Sequence, residues 1–389
     1  MNLREYLSEA VWTREAVDRF LDAGHPNWAT FDPVTGYRLH DIVMRDGIDG
    51  CATLNTYKPN TARTTIHYAD QPCRINTYGD SFTQCHQVSD GETWQEILAA
   101  HFGEPIRNFG VGGHGVYQAY RRMRQIEATP DAASHIVLNI FDDDHIRNLD
   151  QARWFRLEEF RRDIGELIRV MFHANPWAHV RLDPASGVFV EWENPFPTPE
   201  SLYQLCDPDV VYERFARDEV VRLHCLANGI DIGETAELRH LADRLGVAVD
   251  LASPNGAASL LSAYGLQATL FTLGLVRDYA DSTGRKLIVL LSYGGEQVRS
   301  VLDGGTRADQ PLLAHLDVLG IPYVDALAAH VRDAAAFRLD ARDYTDRYYN
   351  RHYNPLGNHF FAFAAKPALL SWLDPKPPTY RDSTVTPIR

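Results

Sequence analysis

Two largely apolar runs, HIVLNIF at residues 135–141, broken after its first residue only by Asn139, and KLIVLLSY at 286–293, apolar from Leu287 to Leu291, constrain this chain more than any other feature. A strand apolar at every position, not at alternate ones, is covered on both faces, as in the middle of a parallel sheet. Strand-like and helical patterns alternate around them. CRINTY (73–78) leads to the helical ETWQEILAAHF (92–102), and PIRNFGV (105–111) leads to VYQAYRRMRQIEA (116–128). Later come a helical stretch near 266–283, the strand-like IPYVDAL (321–327) and a last helix after Pro355. Such alternation implies right-handed crossovers and helices on both faces of the sheet. The expected fold is α/β, a flavodoxin-like three-layer sandwich with about five parallel strands.

Three stretches fall outside that rhythm. Residues 1–71 read as an extension: one amphipathic helix (MNLREYLSEAVWTREAVDRF), then a turn-rich lead-in or small lid, FDPVTGYRLHDIVMRDGIDG (31–50). Residues 150–265 read as an inserted lobe between the third and fourth strands. It holds a hairpin in HVRLDPASGVFVEW (179–192), one helix in PDVVYERFARDEVVRLHCLANG (208–229) and another in ETAELRHLADRLG (234–246). Residues 376–389 read as a tail. The sheet core is thus expected in two parts, 72–149 and 266–375.

A net charge of −14, from 38 basic and 52 acidic residues, argues against nucleic acid or an anionic membrane as partner. No apolar run approaches the ~20 residues that cross a bilayer, and the N-terminus lacks the basic start and apolar middle of a secretory signal. A cytoplasmic location is the expectation. The five cysteines include no C-x-x-C pair, so neither a zinc knuckle nor a disulfide framework is indicated. Cys85 reads as a small buried or lining residue.

In a parallel α/β sheet, binding groups gather in the loops at the carboxyl ends of the strands. Four segments occupy such positions: GDSFT (79–83), NFGVGGHGVYQ (108–118), DDDHIRN (142–148) and RHYNPLGNH (351–359). Together, and in this order, they resemble the GDSL/SGNH hydrolase family, over roughly residues 72–148 and 285–373. GDSFT resembles the nucleophile block and makes Ser81 the nucleophile. HYNPLGN resembles the histidine block and makes His352 the general base, since a serine hydroxyl needs one. NFGVGGHG resembles the block whose glycine N–H helps hold the oxyanion, which implies Ser81 and Gly113 as donors. Gly112 and Gly115 are expected as turn glycines of positive φ, and His114 in solvent.

Two positions depart from the family pattern. Asp143 stands where the family has an asparagine amide donor, and an ionised carboxylate has no hydrogen to give. Either its pKa is lifted by about 3 units, ~4 kcal/mol, by burial and by Asp142 and Asp144, or it stays ionised and meets a cation or substrate hydroxyls. The acid that orients the histidine is also missing: Asn350 and Tyr349 hold its usual places, leaving Asn350 as a weak orienter. Asp80, Asp142 and His145 are candidate substrate-binding residues. The run Asp142-Asp143-Asp144-His145 does not make a metal site, because consecutive strand-end residues face apart, and no cofactor is implied. The expected activity is a serine-dependent ester hydrolase or acyl transferase, acting on a small O-acyl group such as acetyl on a carbohydrate or other small molecule. The alternatives are altered chemistry on the same fold, a transferase or lyase using Asp143, or a binding protein without catalysis.

Overall fold

The apolar runs form the centre of a five-stranded parallel sheet: β1 (Ile75–Tyr78), β2 (Arg107–Asn108), β3 (His135–Phe141), β4 (Lys286–Ser292) and β5 (Tyr323–Asp325). Their order, β2-β1-β3-β4-β5, is that of the flavodoxin-like doubly wound sheet. β3 and β4 pair along their whole length, from His135 beside Lys286 to Phe141 beside Ser292. Ile136, Leu138 and Ile140 of β3 and Ile288 to Leu291 of β4 are buried, and each such side chain contributes about 1.5–3 kcal/mol by leaving water. Helices flank the sheet, so the molecule is a mixed α/β three-layer sandwich. Two of them, Trp94–Phe102 and Pro355–Trp372, meet through Trp94, whose indole packs edge-on against Phe361 at 5.6 Å.

The structure, a computed structural model, describes residues 1–22, 24, 28–157 and 176–381. Residues 158–175 of the expected lobe and 382–389 of the expected tail lie outside the described residues. The chain groups into two units. One, the sheet unit, comprises Asp41–Gly112, Arg122–Asp142 and Leu273–Arg389; the other, the insertion unit, comprises Met1–His40, Gly113–Arg121 and Asp143–Thr272. The N-terminal 40 residues therefore group with the inserted segment, and residues 41–71 group with the sheet.

Local chemistry divides several expected elements. The N-terminal helix is two, Leu3–Ser8 and Arg14–Leu21, because Thr13 turns its hydroxyl onto the Ala16 N–H and caps a fresh start. The helix expected over 208–229 is also two, Pro208–Phe215 and Glu219–Ala227, because Asp218 accepts from the N–H groups of Val220 and Val221. The turn-rich lead-in is two hairpins, Ala29–Asp32 with Gly36–Leu39 and Ile42–Met44 with Thr53–Asn55. The hairpin at His179–Leu182 and Phe189–Trp192 stands as expected. Pro254–Ser282 overturns the expectation about apolar length. This 29-residue helix has a window of mean hydropathy 1.4, long and apolar enough to cross a membrane by length and composition, and half of that window is buried inside the protein.

Candidate active site

The chain leaves β1 through Gly79, whose φ of +153° is open to glycine alone. A Cβ there would stand 2.1 Å from Thr83 Oγ1 and 2.6 Å from the Asn139 carbonyl oxygen. Asp80 then caps the four-residue helix Ser81–Gln84, its carboxylate accepting from the Phe82 N–H at 2.9 Å. Ser81 is the first helical residue, so its N–H has no intrahelical acceptor, and none takes it up among the described residues. The helix ends at Cys85 in the left-handed region (φ 62°), and Gln87 repeats that conformation (φ 73°). Arg63, 1% exposed, holds the loop from inside. Its Nε donates to Asp90 at 2.8 Å and its Nη groups donate to the carbonyls of Gln84, Cys85 and Val88.

Ser81 Oγ lies 2.8 Å from His352 Nε2. His352 Nδ1 lies 2.9 Å from Gln87 Oε1, which also accepts from the His352 backbone N–H at 3.1 Å. The Gln87 amide is fixed end for end, because its Nε2 donates to the Asp46 carbonyl at 3.0 Å. An oxygen facing Nδ1 can only accept, so the neutral imidazole carries its proton on Nδ1. The lone pair on Nε2 therefore faces the serine hydroxyl, which is the tautomer a general base requires.

This geometry corrects two expectations. Asn350 does not orient His352: its amide donates to the Asp46 carbonyl at 3.1 Å, and Gln87 takes Nδ1 in its place. Asn350 and His352 are partners across the small hairpin Tyr349–Asn350 with His352–Tyr353, and the amide nevertheless turns to Asp46. Asp80 is not exposed to a substrate. It is fully buried as the helix cap, with its second oxygen 3.1 Å from Ser81 Oγ. Gln87 itself carries no sequence signal, because its reach depends on a left-handed backbone that no residue type announces.

A second imidazole stands beside the first. The His86 and His352 rings are 5.0 Å apart, and His86 Nε2 lies 2.9 Å from the Asp46 carboxylate. Thr53 donates to the other carboxylate oxygen at 2.6 Å. Partial burial pushes the Asp46 carboxyl upward, but the His86 and Thr53 contacts outweigh it and hold the group below the usual range, so it is ionised at neutral pH. Asp46 thus serves both histidines, through its carbonyl by way of Gln87 and through its carboxylate directly.

The His352 hairpin is tied down by a buried aromatic network. Tyr348 and Tyr344 donate to Asp333, His330 Nδ1 lies 2.9 Å from the Tyr344 hydroxyl, and His330 Nε2 lies 2.9 Å from the Tyr353 hydroxyl. With Tyr344 donating to the carboxylate, Nδ1 of His330 is the donor and Nε2 the acceptor. Burial pushes His330 down to about 3, so it stays neutral. Asp142, just past β3, is half-buried, and after burial its charge helps to raise the Tyr353 phenol.

The remaining candidates belong to the insertion unit. Positive φ falls on Gly113 (88°), not on Gly112 or Gly115. Gly115 is required for space, since a Cβ would stand 2.8 Å from the Arg147 Cβ. His114 is fully buried between Tyr37 and Trp177, at 5.3 and 5.7 Å between rings, and so is not in solvent; both aromatics come from distant sequence. His145 Nδ1 is 2.8 Å from Thr269 Oγ1. Asp143 Oδ2 accepts from Arg147 Nη2 at 2.8 Å. Crowding by the protein raises the Asp143 carboxyl, but Arg147 and then Arg153 outweigh it and hold it below the usual range, so it is an ionised partner of a cation and not a donor. In the sheet unit Cys85 is buried, which pushes its thiol up to about 12, far from the thiolate a nucleophile needs. Among the described residues no group of three or more His, Cys, Asp or Glu is arranged to hold a metal ion. No protein-family model matches the chain, and a search of the curated proteins finds no match.

Proposed function

We propose that this protein is a serine-dependent ester hydrolase or acyl transferase of the SGNH kind, acting on a small O-acyl group, with Ser81 and His352 as its catalytic pair. The supporting observation is the 2.8 Å contact from Ser81 Oγ to His352 Nε2, with the imidazole proton fixed on Nδ1 by Gln87. Ser81 Oγ bonds to the ester carbonyl carbon as its proton passes to His352 Nε2. The carbonyl oxygen takes the electron pair and accepts a hydrogen bond from the Ser81 N–H. Collapse breaks the ester C–O bond, and the leaving alkoxide takes the proton back from Nε2. Water, or an acceptor hydroxyl, then gives its proton to Nε2 as its oxygen attacks the acyl carbon; the C–Oγ bond breaks and Ser81 Oγ takes the proton back from Nε2. Throughout, Nδ1–H keeps its bond to Gln87 Oε1. A neutral amide stabilises the imidazolium less than a carboxylate does.

The test is mass spectrometry after incubation with a fluorophosphonate, in which Ser81 Oγ displaces fluoride from phosphorus. The native chain should gain one adduct, Ser81→Ala none, and His352→Ala an adduct formed on the order of 10⁴ more slowly. A folded native chain that gains no adduct, or an adduct that survives Ser81→Ala, would sink the reading.

A further inference from the structure

We propose that Arg153 anchors an oxyanion-binding site in the insertion unit, which takes the carboxylate or phosphate group of a small-molecule ligand. Three guanidinium groups gather there, on the four-residue helix Asp144–Arg147 and the 3-10 turn Arg153–Arg156. Two of them are paired. Arg147 donates to Asp144 at 2.7 Å and to Asp143 at 2.8 Å, and Arg156 grips Asp150 with Nε and Nη2. Arg153 has no carboxylate partner among the described residues. Among the described residues, of its donor groups only Nη1 is used, on the Gly113 carbonyl at 3.2 Å, and Nε is buried without a partner.

Electrostatics set Arg153 apart from an ordinary clamp. The residue is only 7% exposed. Burial, then repulsion from Arg147, pulls its pKa down to about 10, while the Tyr37 phenol and Asp143 partly offset that repulsion. It is still charged at neutral pH, so a desolvated cation with a second guanidinium nearby lacks the close counter-charge that buried charges ordinarily have. A bound oxyanion removes that deficit, and the planar guanidinium fork presents paired N–H groups that match a carboxylate or phosphate. The structural alternative is that Arg153 only holds the Gly113 carbonyl. One bond to one carbonyl needs a single N–H, which a neutral amide also supplies.

That difference defines the experiment, which does not depend on the role of Ser81. The full chain is titrated calorimetrically, at constant ionic strength, with inorganic phosphate and separately with acetate. At least one anion should bind at a single site per chain with Kd of about 1 mM or tighter; binding of phosphate alone assigns a phosphate ligand and of acetate alone a carboxylate. Arg153→Gln keeps a donor for Gly113 but not the charge and should abolish binding, while Arg153→Lys keeps the charge without the fork and should weaken binding about tenfold. Absence of saturable binding of either anion to the native chain overturns the proposal, as does Arg153→Gln binding as tightly as native. Should Arg153→Gln not fold, Arg153→Lys decides: unchanged affinity overturns the site, and weakened affinity upholds it.

Discussion

His352 and His86 stand ring beside ring, 5.0 Å apart, and their acceptors are chosen in opposite senses. His352, which faces the serine, rests on the neutral amide of Gln87; His86 has the carboxylate of Asp46. A carboxylate on Nδ1 would stabilise the imidazolium and raise the basicity of Nε2. The amide gives up that gain but keeps what a base first needs, one defined tautomer. It can do so because Asp46 fixes the amide through its carbonyl, whereas an amide free to turn could present its N–H₂ to Nδ1 and reverse the proton's position. The negative charge of Asp46 meets His86 and not His352, and Gln87 supplies the orientation of His352.

The largest expected effect comes from removing the support that both histidines share. Arg63→Met leaves Asp90 as a buried carboxylate without its cation and frees the carbonyls of the loop carrying His86 and Gln87. Loss of one partner of a buried pair costs about 3–5 kcal/mol, which urea denaturation would measure, together with loss of fluorophosphonate labelling. A stability change under about 1 kcal/mol would mean that the loop holds its shape without Arg63. Next comes the amide itself. Gln87→Ala should lower kcat about tenfold with KM little changed, the worth of one neutral hydrogen bond. Gln87→Glu places a charge on Nδ1 and should move the acidic limb of the kcat/KM profile to higher pH by about one unit. If both variants leave rate and profile as they were, His352 and His86 do not differ in the way their partners suggest.

A smaller effect tests the other histidine's partner. Asp46→Asn keeps the carbonyl that holds Gln87 and Asn350 but removes the charge. The acidic limb should then move to lower pH by less than about one unit, because the imidazolium loses a nearby anion. Stability should respond in step. Native Asp46 has a depressed pKa, so it contributes stability above the ordinary carboxylate range and loses it as pH falls through its folded value. The variant should lack that acid-sensitive component in denaturation curves taken at successive pH values.

The contrast between the two histidines also marks where the sequence stops being legible. β3 and β4 are visible because burial on both faces favours apolar residues at successive positions, a pattern that the single Asn139 of β3 does not hide. Ser81 and His352 are visible because a Gly-Asp-Ser turn after a strand and a histidine before a helix-starting Asn-Pro are local patterns. Gln87 and Asp46 leave no such trace. Their roles come from a left-handed backbone at Gln87 and from a hairpin, Ile42–Met44 with Thr53–Asn55, that brings Asp46 from some 300 residues upstream of Asn350. His114 hides for the same reason, since flanking glycines suggest solvent while Tyr37 and Trp177, far away in sequence, enclose it.

Asp143 sharpens the comparison from the insertion unit, where charge is neutralised by ion pairs and not replaced by amides. Its side chain is 68% exposed although it pairs with Arg147 at 2.8 Å. Only the carboxylate end of this pair faces water, since the Arg147 side chain is 7% exposed; Asp143 is already solvated and ordering it costs entropy, so its charge adds about 0–1 kcal/mol. Arg147 also keeps its 2.7 Å bond to Asp144, whose side chain is buried, so Arg147 itself is not left without a partner when Asp143 is neutralised. Asp143→Asn should therefore change stability by less than about 1 kcal/mol, measured by urea denaturation at neutral pH. A loss of several kcal/mol would mean that the carboxylate does more than meet a guanidinium that already has a buried partner, and that the ionised form is required by something its solvent-facing side touches.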